Sequence, residues 1–139
     1  MTTYAVLLPG DEAVWEAATR EEREQTYARH AEFARLLAER GHRMTGGAEL
    51  THSRTAKVVR STGDGDLTIT DGPYAETVEQ LSGFYLVDSD DLDDLVRICG
   101  IIAGSDGGVE VRAVVDGSTP DGAEPAGGTD IVDEAAVTS

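Results

Sequence analysis

The hydrophobic and polar positions of this chain switch between the period of a strand and the period of a helix. An apolar run at residues 4–8 predicts a buried strand that ends in a Pro-Gly-Asp turn at residues 9–11. Thr19 and Glu22 have the spacing of a capping box, and apolar residues then recur at helical intervals until Gly41. We therefore expect a long amphipathic helix between Thr19 and Gly41.

The middle of the chain has the patterns of strands. Residues 44–50 and 55–60 are strand-like, and Gly-Asp-Gly-Asp at residues 63–66 predicts a hairpin turn into residues 67–70. Residues 83–87 are aromatic and apolar, which is typical of a central strand. Together these patterns predict a meander of strands.

A second helix and a last strand follow the meander. We expect Ser89 or Asp90 to cap this helix, whose apolar positions extend to Ile102. The helix dipole accounts for the aspartates at its N-terminus, and a metal site is the less favoured alternative. These aspartates are Asp90, Asp91, Asp93 and Asp94. Residues 109–115 alternate as a strand that closes the domain.

The order of these elements predicts one α+β domain at residues 1–116. Strand, helix, strand, repeated with an inserted hairpin, fits a ferredoxin-like antiparallel sheet with helices on one face. The other face keeps uncovered apolar positions, so we expect two sheets to pack across a twofold axis in a homodimer. Residues 117–139 contain acidic residues and no basic residue, which predicts a disordered acidic tail.

Composition narrows the functions that this domain could have. The chain has 27 acidic and 11 basic residues and a net charge of -16, which opposes binding to nucleic acid or to an anionic membrane surface. No apolar run approaches the roughly 20 residues that cross a bilayer. The first residues lack the features of a signal peptide, so we expect a cytoplasmic protein. The single cysteine, Cys99, excludes an intrachain disulfide and is expected in the core.

One long stretch resembles a known family. Residues 70–88, TDGPYAETVEQLSGFYLVD, closely resemble the signature of the YCII-related, or DGPF, family. Residues 4–8, 55–60 and 109–112 are also similar to the family pattern, so the resemblance spans residues 4–115. It implies a dimeric α/β barrel of ferredoxin-like protomers. Some family members are encoded with or fused to extracytoplasmic-function sigma factors, and YciI-like relatives include enzymes that act on small cyclic or chlorinated acids.

Two residues are candidates for acid/base catalysis. YciI-like relatives carry a helical histidine proposed as a general acid/base, and the resemblance implies this role for His30, eleven residues before Gly41 as in the relatives. A histidine can donate or accept a proton near neutral pH. The alternative is that His30 is a partly buried helix residue that is hydrogen-bonded to its neighbours. The relatives' partner aspartate has no clear counterpart at residues 97–100. Asp71, in the Asp-Gly-Pro sequence, is the second candidate, with a structural turn as the alternative.

Five further residues are candidates for substrate binding. Tyr74, Glu76 and Glu79 follow the Asp-Gly-Pro sequence and could line the mouth of a pocket. His52 lies at a strand end, where the DGPF pattern more often has proline, and an exposed loop residue is the alternative there. Arg54 could pair with a substrate carboxylate, or it could form an ordinary ion pair.

These observations predict an enzyme that performs acid/base chemistry on a small organic molecule in a pocket of a dimeric α/β barrel. The reaction would be an isomerisation, a cyclisation or an elimination, as catalysed by an isomerase, a cyclase or a lyase. The alternative is a non-catalytic ligand-binding or regulatory module associated with a transcription regulator. We expect no cofactor and no metal in either case.

Overall fold

The computed structural model describes residues 1–104 and 107–116, so the predicted tail at residues 117–139 lies outside the described residues. The elements, in chain order, are β1 (Thr2–Asp11), α1 (Glu12–Ala17), α2 (Arg20–Glu39), β2 (Arg43–Glu49), a 3-10 turn (Ser53–Thr55), β3 (Lys57–Ser61), β4 (Leu67–Asp71), β5 (Glu79–Ser89), α3 (Leu92–Cys99) and β6 (Glu110–Ala113).

The main sheet has four antiparallel strands in the order β2-β5-β1-β6. The two central strands, β1 and β5, place Tyr4 opposite Val87 and Val6 opposite Tyr85. Helix α2 connects β1 to β2, and α3 connects β5 to β6. This order of strands and crossover helices is the predicted ferredoxin-like α+β fold, which is therefore confirmed.

The hydrophobic core lies between the main sheet and the two longer helices. Side chains alternate along a strand, so each central strand presents every second residue to α2 and α3. The buried core residues are Val6, Phe33, Leu37, Val87, Leu95, Ile98 and Cys99. Burial raises the pKa of the Cys99 thiol to about 11, which keeps this cysteine a protonated, apolar core residue as predicted.

Helix α2 begins and ends where the sequence predicts. The Thr19 hydroxyl accepts a hydrogen bond from the Glu22 N–H at 3.1 Å, and the Glu22 carboxylate accepts one from the Thr19 N–H at 2.8 Å. This reciprocal pair satisfies two N–H groups that would otherwise lack partners. At the other end Gly41 has a φ of 88°, a left-handed conformation that glycine adopts without strain and that stops the helix.

One prediction near β1 was wrong, and one element there was missed. The strand does not end at a Pro-Gly-Asp turn but continues to Asp11, because a register shift between Leu8 and Pro9 accommodates the proline. Helix α1 then follows directly and was not predicted. The Asp11 side chain caps it by accepting hydrogen bonds from the N–H groups of Ala13 and Val14.

The predicted meander and the predicted cap of α3 also need correction. Strands β3 and β4 form a separate two-stranded sheet instead of joining the main one. Helix α3 is capped by Asp91, whose carboxylate accepts a hydrogen bond from the Asp94 N–H at 3.1 Å, and not by Ser89 or Asp90. The Ser89 hydroxyl accepts instead from the Asp91 N–H at 2.9 Å. The helix ends at Cys99, short of Ile102.

The face of the main sheet that points away from the helices carries apolar side chains. Leu7 pairs with Phe84, and Leu86 lies between Ala5 on one neighbouring strand and Gly46 on the other. These residues alternate with the buried residues of the same strands, which places them on the opposite face. It stays a prediction that two copies of this face pack together in a homodimer. No helix of the described chain is long and apolar enough to cross a membrane.

We expect Leu86→Asp to convert a homodimer into a monomer, because an ionised carboxylate cannot be buried in a sheet-to-sheet interface without a partner. Light scattering coupled to size-exclusion chromatography measures the mass. Val96→Asp, at an exposed position of α3, is the matched control and should keep the wild-type mass. A wild-type chain with the monomer mass at every concentration tested would contradict the predicted dimer.

Candidate functional site

Two pockets meet at His52. The first, which we call the neutral pocket, has a volume of about 370 Å³, and the second, which we call the acidic pocket, has a volume of about 410 Å³. His52 is the residue that both linings share. The neutral pocket is lined by Leu50, Thr51, His52, Ser53, Thr55, Ala56, Pro73, Tyr74, Gln80 and Leu81. The acidic pocket is lined by Asp11, Glu12, Ala13, Glu16, His52, Thr77 and Val78.

The 3-10 turn after β2 fixes the orientation of the His52 ring. His52 is the cap of this turn, and its Nδ1 atom accepts a hydrogen bond from the Arg54 N–H at 3.0 Å. An Nδ1 atom that accepts a hydrogen bond carries no proton, so the neutral ring has its proton on Nε2. The side chain is 26% exposed. The backbone therefore holds an Nε2–H donor at the junction of the two pockets.

Two carboxylates of α1 face this Nε2 atom. Glu12 Oε1 lies 3.6 Å and Glu16 Oε1 lies 3.7 Å from His52 Nε2. The two glutamates are four residues apart, which places both on one side of the helix. Both distances exceed the length of a hydrogen bond, so the Nε2 proton remains available to a ligand.

The two carboxylates differ in how they are held. Ser53 binds both oxygens of Glu12, through its N–H at 2.7 Å and its hydroxyl at 2.5 Å. Burial alone would raise the pKa of Glu12, but the hydrogen bonds from Ser53 and the nearby His52 and Arg54 lower it overall. Glu12 is therefore ionised at neutral pH. In the described part of the chain, Glu16 is bound on one oxygen only, by Arg54 Nη1 at 2.8 Å, and its Oε1 atom faces His52.

The loop that follows β4 passes along both pockets. Its Pro73 and Tyr74 line the neutral pocket, while Thr77 and Val78 line the acidic pocket. Gly72 allows this path because it has a φ of 97°, a conformation that favours glycine. The Gly72 N–H donates to the Ala56 carbonyl at 2.8 Å.

The structure brings together only some of the residues predicted for the site. His52 and Tyr74 line the pockets, and Arg54 holds Glu16 beside them. Asp71 is exposed and accepts a hydrogen bond from Lys57 across the β3–β4 hairpin, and this lysine lowers the pKa of Asp71. Asp71, Glu76 and Glu79 are absent from both linings, and their roles stay predictions.

His30 lies on the side of α2 that faces the main sheet and is absent from both pocket linings. Its Nδ1 atom shares a hydrogen bond of 2.8 Å with the Tyr85 hydroxyl. Burial lowers the pKa of His30, the charge of Arg29 lowers it further, and Glu49 opposes both. His30 is therefore neutral at pH 7. The catalytic role of His30 stays a prediction. Its contacts are those expected from the alternative, a helix residue that is hydrogen-bonded to its neighbours.

The sequence did not reveal a third histidine with a carboxylate partner. His42 is buried, its Nδ1 atom is 2.8 Å from Ser89 Oγ, and its Nε2 atom is 2.8 Å from Asp94 Oδ2. Arg40 also binds Asp94. Helix α3, which the sequence analysis predicted as the second helix, thus does contain an aspartate that pairs with a histidine, but the histidine is not His30. Ser89 is 1% exposed, so no substrate reaches this group, and we assign it a structural role.

The residues that the sequence analysis missed at the site itself are Glu12 and Glu16. The sequence signal for this pair is that two glutamates four residues apart directly follow Asp11, and aspartate is a residue type that caps helices. Metal binding finds no support at the aspartates of α3, since Asp91 caps the helix and Asp94 binds His42 and Arg40. Across residues 1–104 and 107–116, no three His, Cys, Asp or Glu side chains converge as metal ligands.

Comparison with known proteins agrees with the fold and with the resemblance at residues 70–88. The family model of the YCII-related domain matches residues 2–118. An uncharacterized protein of Rhizobium meliloti (strain 1021) is 38% identical over 112 residues, which cover 78% of this chain and 89% of that relative. Because the family model covers most of the chain, the protein belongs to the YCII-related domain family.

Proposed function

We propose that this protein is a cofactor-independent enzyme that transfers protons on a small organic molecule bound at His52. The observation that carries the proposal is the position of His52 Nε2, which lies at the junction of two pockets and faces the carboxylates of Glu12 and Glu16. Acid/base catalysis requires a hydrogen-bond donor and an ionised carboxylate of the protein that both contact the same ligand.

The arrangement supports the following step. The substrate oxygen of a carbonyl group accepts a hydrogen bond from His52 Nε2–H, and Glu16 removes a proton from the adjacent carbon. The electron pair of that C–H bond moves into the carbonyl group, and the enolate oxygen is stabilised by the same N–H donor. Return of the proton to another atom completes an isomerisation, and loss of a leaving group completes an elimination.

Glu16 is the better placed proton acceptor of the two glutamates. Both oxygens of Glu12 already accept hydrogen bonds from Ser53, and the lowered pKa of Glu12 makes its carboxylate a weak base. Glu16 keeps Oε1 free, while its ion pair with Arg54 fixes the other oxygen. We therefore assign Glu12 to orienting the turn that carries His52, and Glu16 to accepting the proton.

Exchange of the carbon-bound protons of hydroxyacetone with D2O, followed by proton NMR, tests this function. We expect the protein to accelerate the exchange, and His52→Gln to lower the accelerated rate at least about 10²-fold, because a positioned acid or base contributes 10²–10⁴-fold. Glu24→Gln, at an exposed position of α2, is the control for a substitution away from the pockets and should keep the accelerated rate. An acceleration that survives His52→Gln unchanged would contradict the proposal.

A ligand-binding module remains the second proposal because the loop residues at both pockets are open to solvent. Tyr74 is 79% and Val78 is 73% exposed, and a binding surface needs less exclusion of water than a catalytic pocket does. Hydroxyacetone that shifts the NMR signals of His52 without any acceleration of exchange would favour the binding module over the enzyme.

A further inference from the structure

We propose that the ligand of the His52 site is a cation, a small molecule whose protonated amine lies beside the carbonyl group that His52 contacts. The inference rests on the proposed function, because it names the substrate class of the same site. It follows from the distribution of charge between the two pockets and from the free Nε2–H donor at their junction.

Among the described residues, the lining of the acidic pocket carries carboxylates and no lysine or arginine. Its charged residues are Asp11, Glu12 and Glu16. Arg54, the cation beside them, binds Glu16 through its Nη1 atom. The Asp11 carboxylate accepts hydrogen bonds from two backbone N–H groups of α1. A ligand carboxylate in this pocket would meet like charges without a lining cation, whereas an ammonium group would meet opposite charges.

The neutral pocket differs in kind, and this difference orients the ligand. Within residues 1–104 and 107–116, no Asp, Glu, Lys or Arg lines this pocket. Leu50, Leu81 and Pro73 supply apolar walls, and hydroxyl groups supply hydrogen bonds. The uncharged body of a ligand fits this side, its cationic group fits the side of α1, and its carbonyl oxygen lies between them at His52 Nε2–H.

Three small ketones that differ in charge test the inference. Aminoacetone is a cation, hydroxyacetone is neutral and pyruvate is an anion, and all three share the methyl ketone group. Binding to the full-length protein is measured from the NMR shift of the His52 ring, and deuterium exchange of the methyl group is measured in parallel. We expect aminoacetone to bind roughly three- to thirtyfold more tightly than hydroxyacetone, as two partly exposed ion pairs would produce.

Neutralising one carboxylate should remove much of this preference. In Glu16→Gln we expect the affinity for aminoacetone to approach that for hydroxyacetone, while Glu24→Gln, which removes one negative charge in the same way, should keep the wild-type preference. Added salt should also weaken the binding of aminoacetone selectively, since it screens exposed ion pairs.

The outcomes separate the charge of the ligand from the function of the site. Hydroxyacetone or pyruvate bound at His52 as tightly as aminoacetone, or a preference that Glu16→Gln leaves intact, would overturn the cationic ligand and leave the proton-transfer site standing. If none of the three ketones shifts the His52 signal and none exchanges faster, both the cationic ligand and the proposed function are overturned.

Discussion

Replacement of Phe33 by alanine is expected to lower the free energy of unfolding by about 3–5 kcal/mol, the usual cost of truncating a buried aromatic residue. Phe33 is 0% exposed and lies in the core between α2 and the main sheet. Its ring packs against that of Tyr85, with centroids 5.3 Å apart. Domains of this size are stable by only about 5–15 kcal/mol, so the variant should lose a large fraction of its stability.

Urea unfolding followed by circular dichroism measures this loss as a lower midpoint at an unchanged slope. Phe33→Leu, which keeps most of the apolar volume, should lose distinctly less than Phe33→Ala. Ala31→Ser, at an exposed position of the same helix, should change the free energy of unfolding by less than about 0.5 kcal/mol. A loss below about 1 kcal/mol in Phe33→Ala would mean that α2 does not pack on the sheet as described.

The second large effect is expected for His42→Ala, at about 2–4 kcal/mol of unfolding free energy. The His42 side chain is 3% exposed and joins the start of β2 to Ser89 and Asp94 at the N-terminus of α3. Its removal breaks two hydrogen bonds and leaves the buried Ser89 hydroxyl without one of its partners, at a cost of about 1–3 kcal/mol for an unsatisfied buried group. Thermal or urea unfolding measures the loss.

The pH dependence of stability gives an independent check on this contact. The hydrogen bond from His42 and that from Arg40 hold the pKa of Asp94 below its ordinary value. A pKa lowered in the folded state stabilises the fold above the pKa of the unfolded state, and this stabilisation is lost as the pH falls through the folded value. We expect the stability of Asp94→Asn to fall less steeply than that of the wild type between about pH 5 and pH 2. An identical pH dependence would contradict the contact, as would wild-type stability in His42→Ala.

The sequence predicts the elements whose signals are local. The capping box of Thr19 and Glu22 and the glycine at 41 are enough to bound α2. Helix α1 has no such separation from the preceding strand, because β1 continues to Asp11 and that residue serves both elements. When a short helix follows a strand without a turn, the sequence has no turn residues that separate the hydrophobic period of the strand from that of the helix.

The candidate site shows where prediction from sequence ends. His52 was a candidate because it lies at a strand end, and Tyr74 because it follows the Asp-Gly-Pro sequence; both line a pocket. Asp71, Glu76 and Glu79, candidates from the same stretch as Tyr74, are absent from both linings. The carboxylates that face His52 lie on α1, far earlier in the chain, and only the pairing of the strands brings them together. The contact between His42 and Asp94 is also remote in sequence, so no local spacing could reveal which carboxylates these two histidines face.

The central claim is that proton transfer takes place at His52, whereas the resemblance to YciI-like relatives implies His30. The most direct measurement is the deuterium exchange of hydroxyacetone with the wild type, His52→Gln and His30→Gln under the same conditions. We expect an accelerated exchange in the wild type and the larger loss in His52→Gln. A larger loss in His30→Gln, with the rate of His52→Gln equal to that of the wild type, would contradict it.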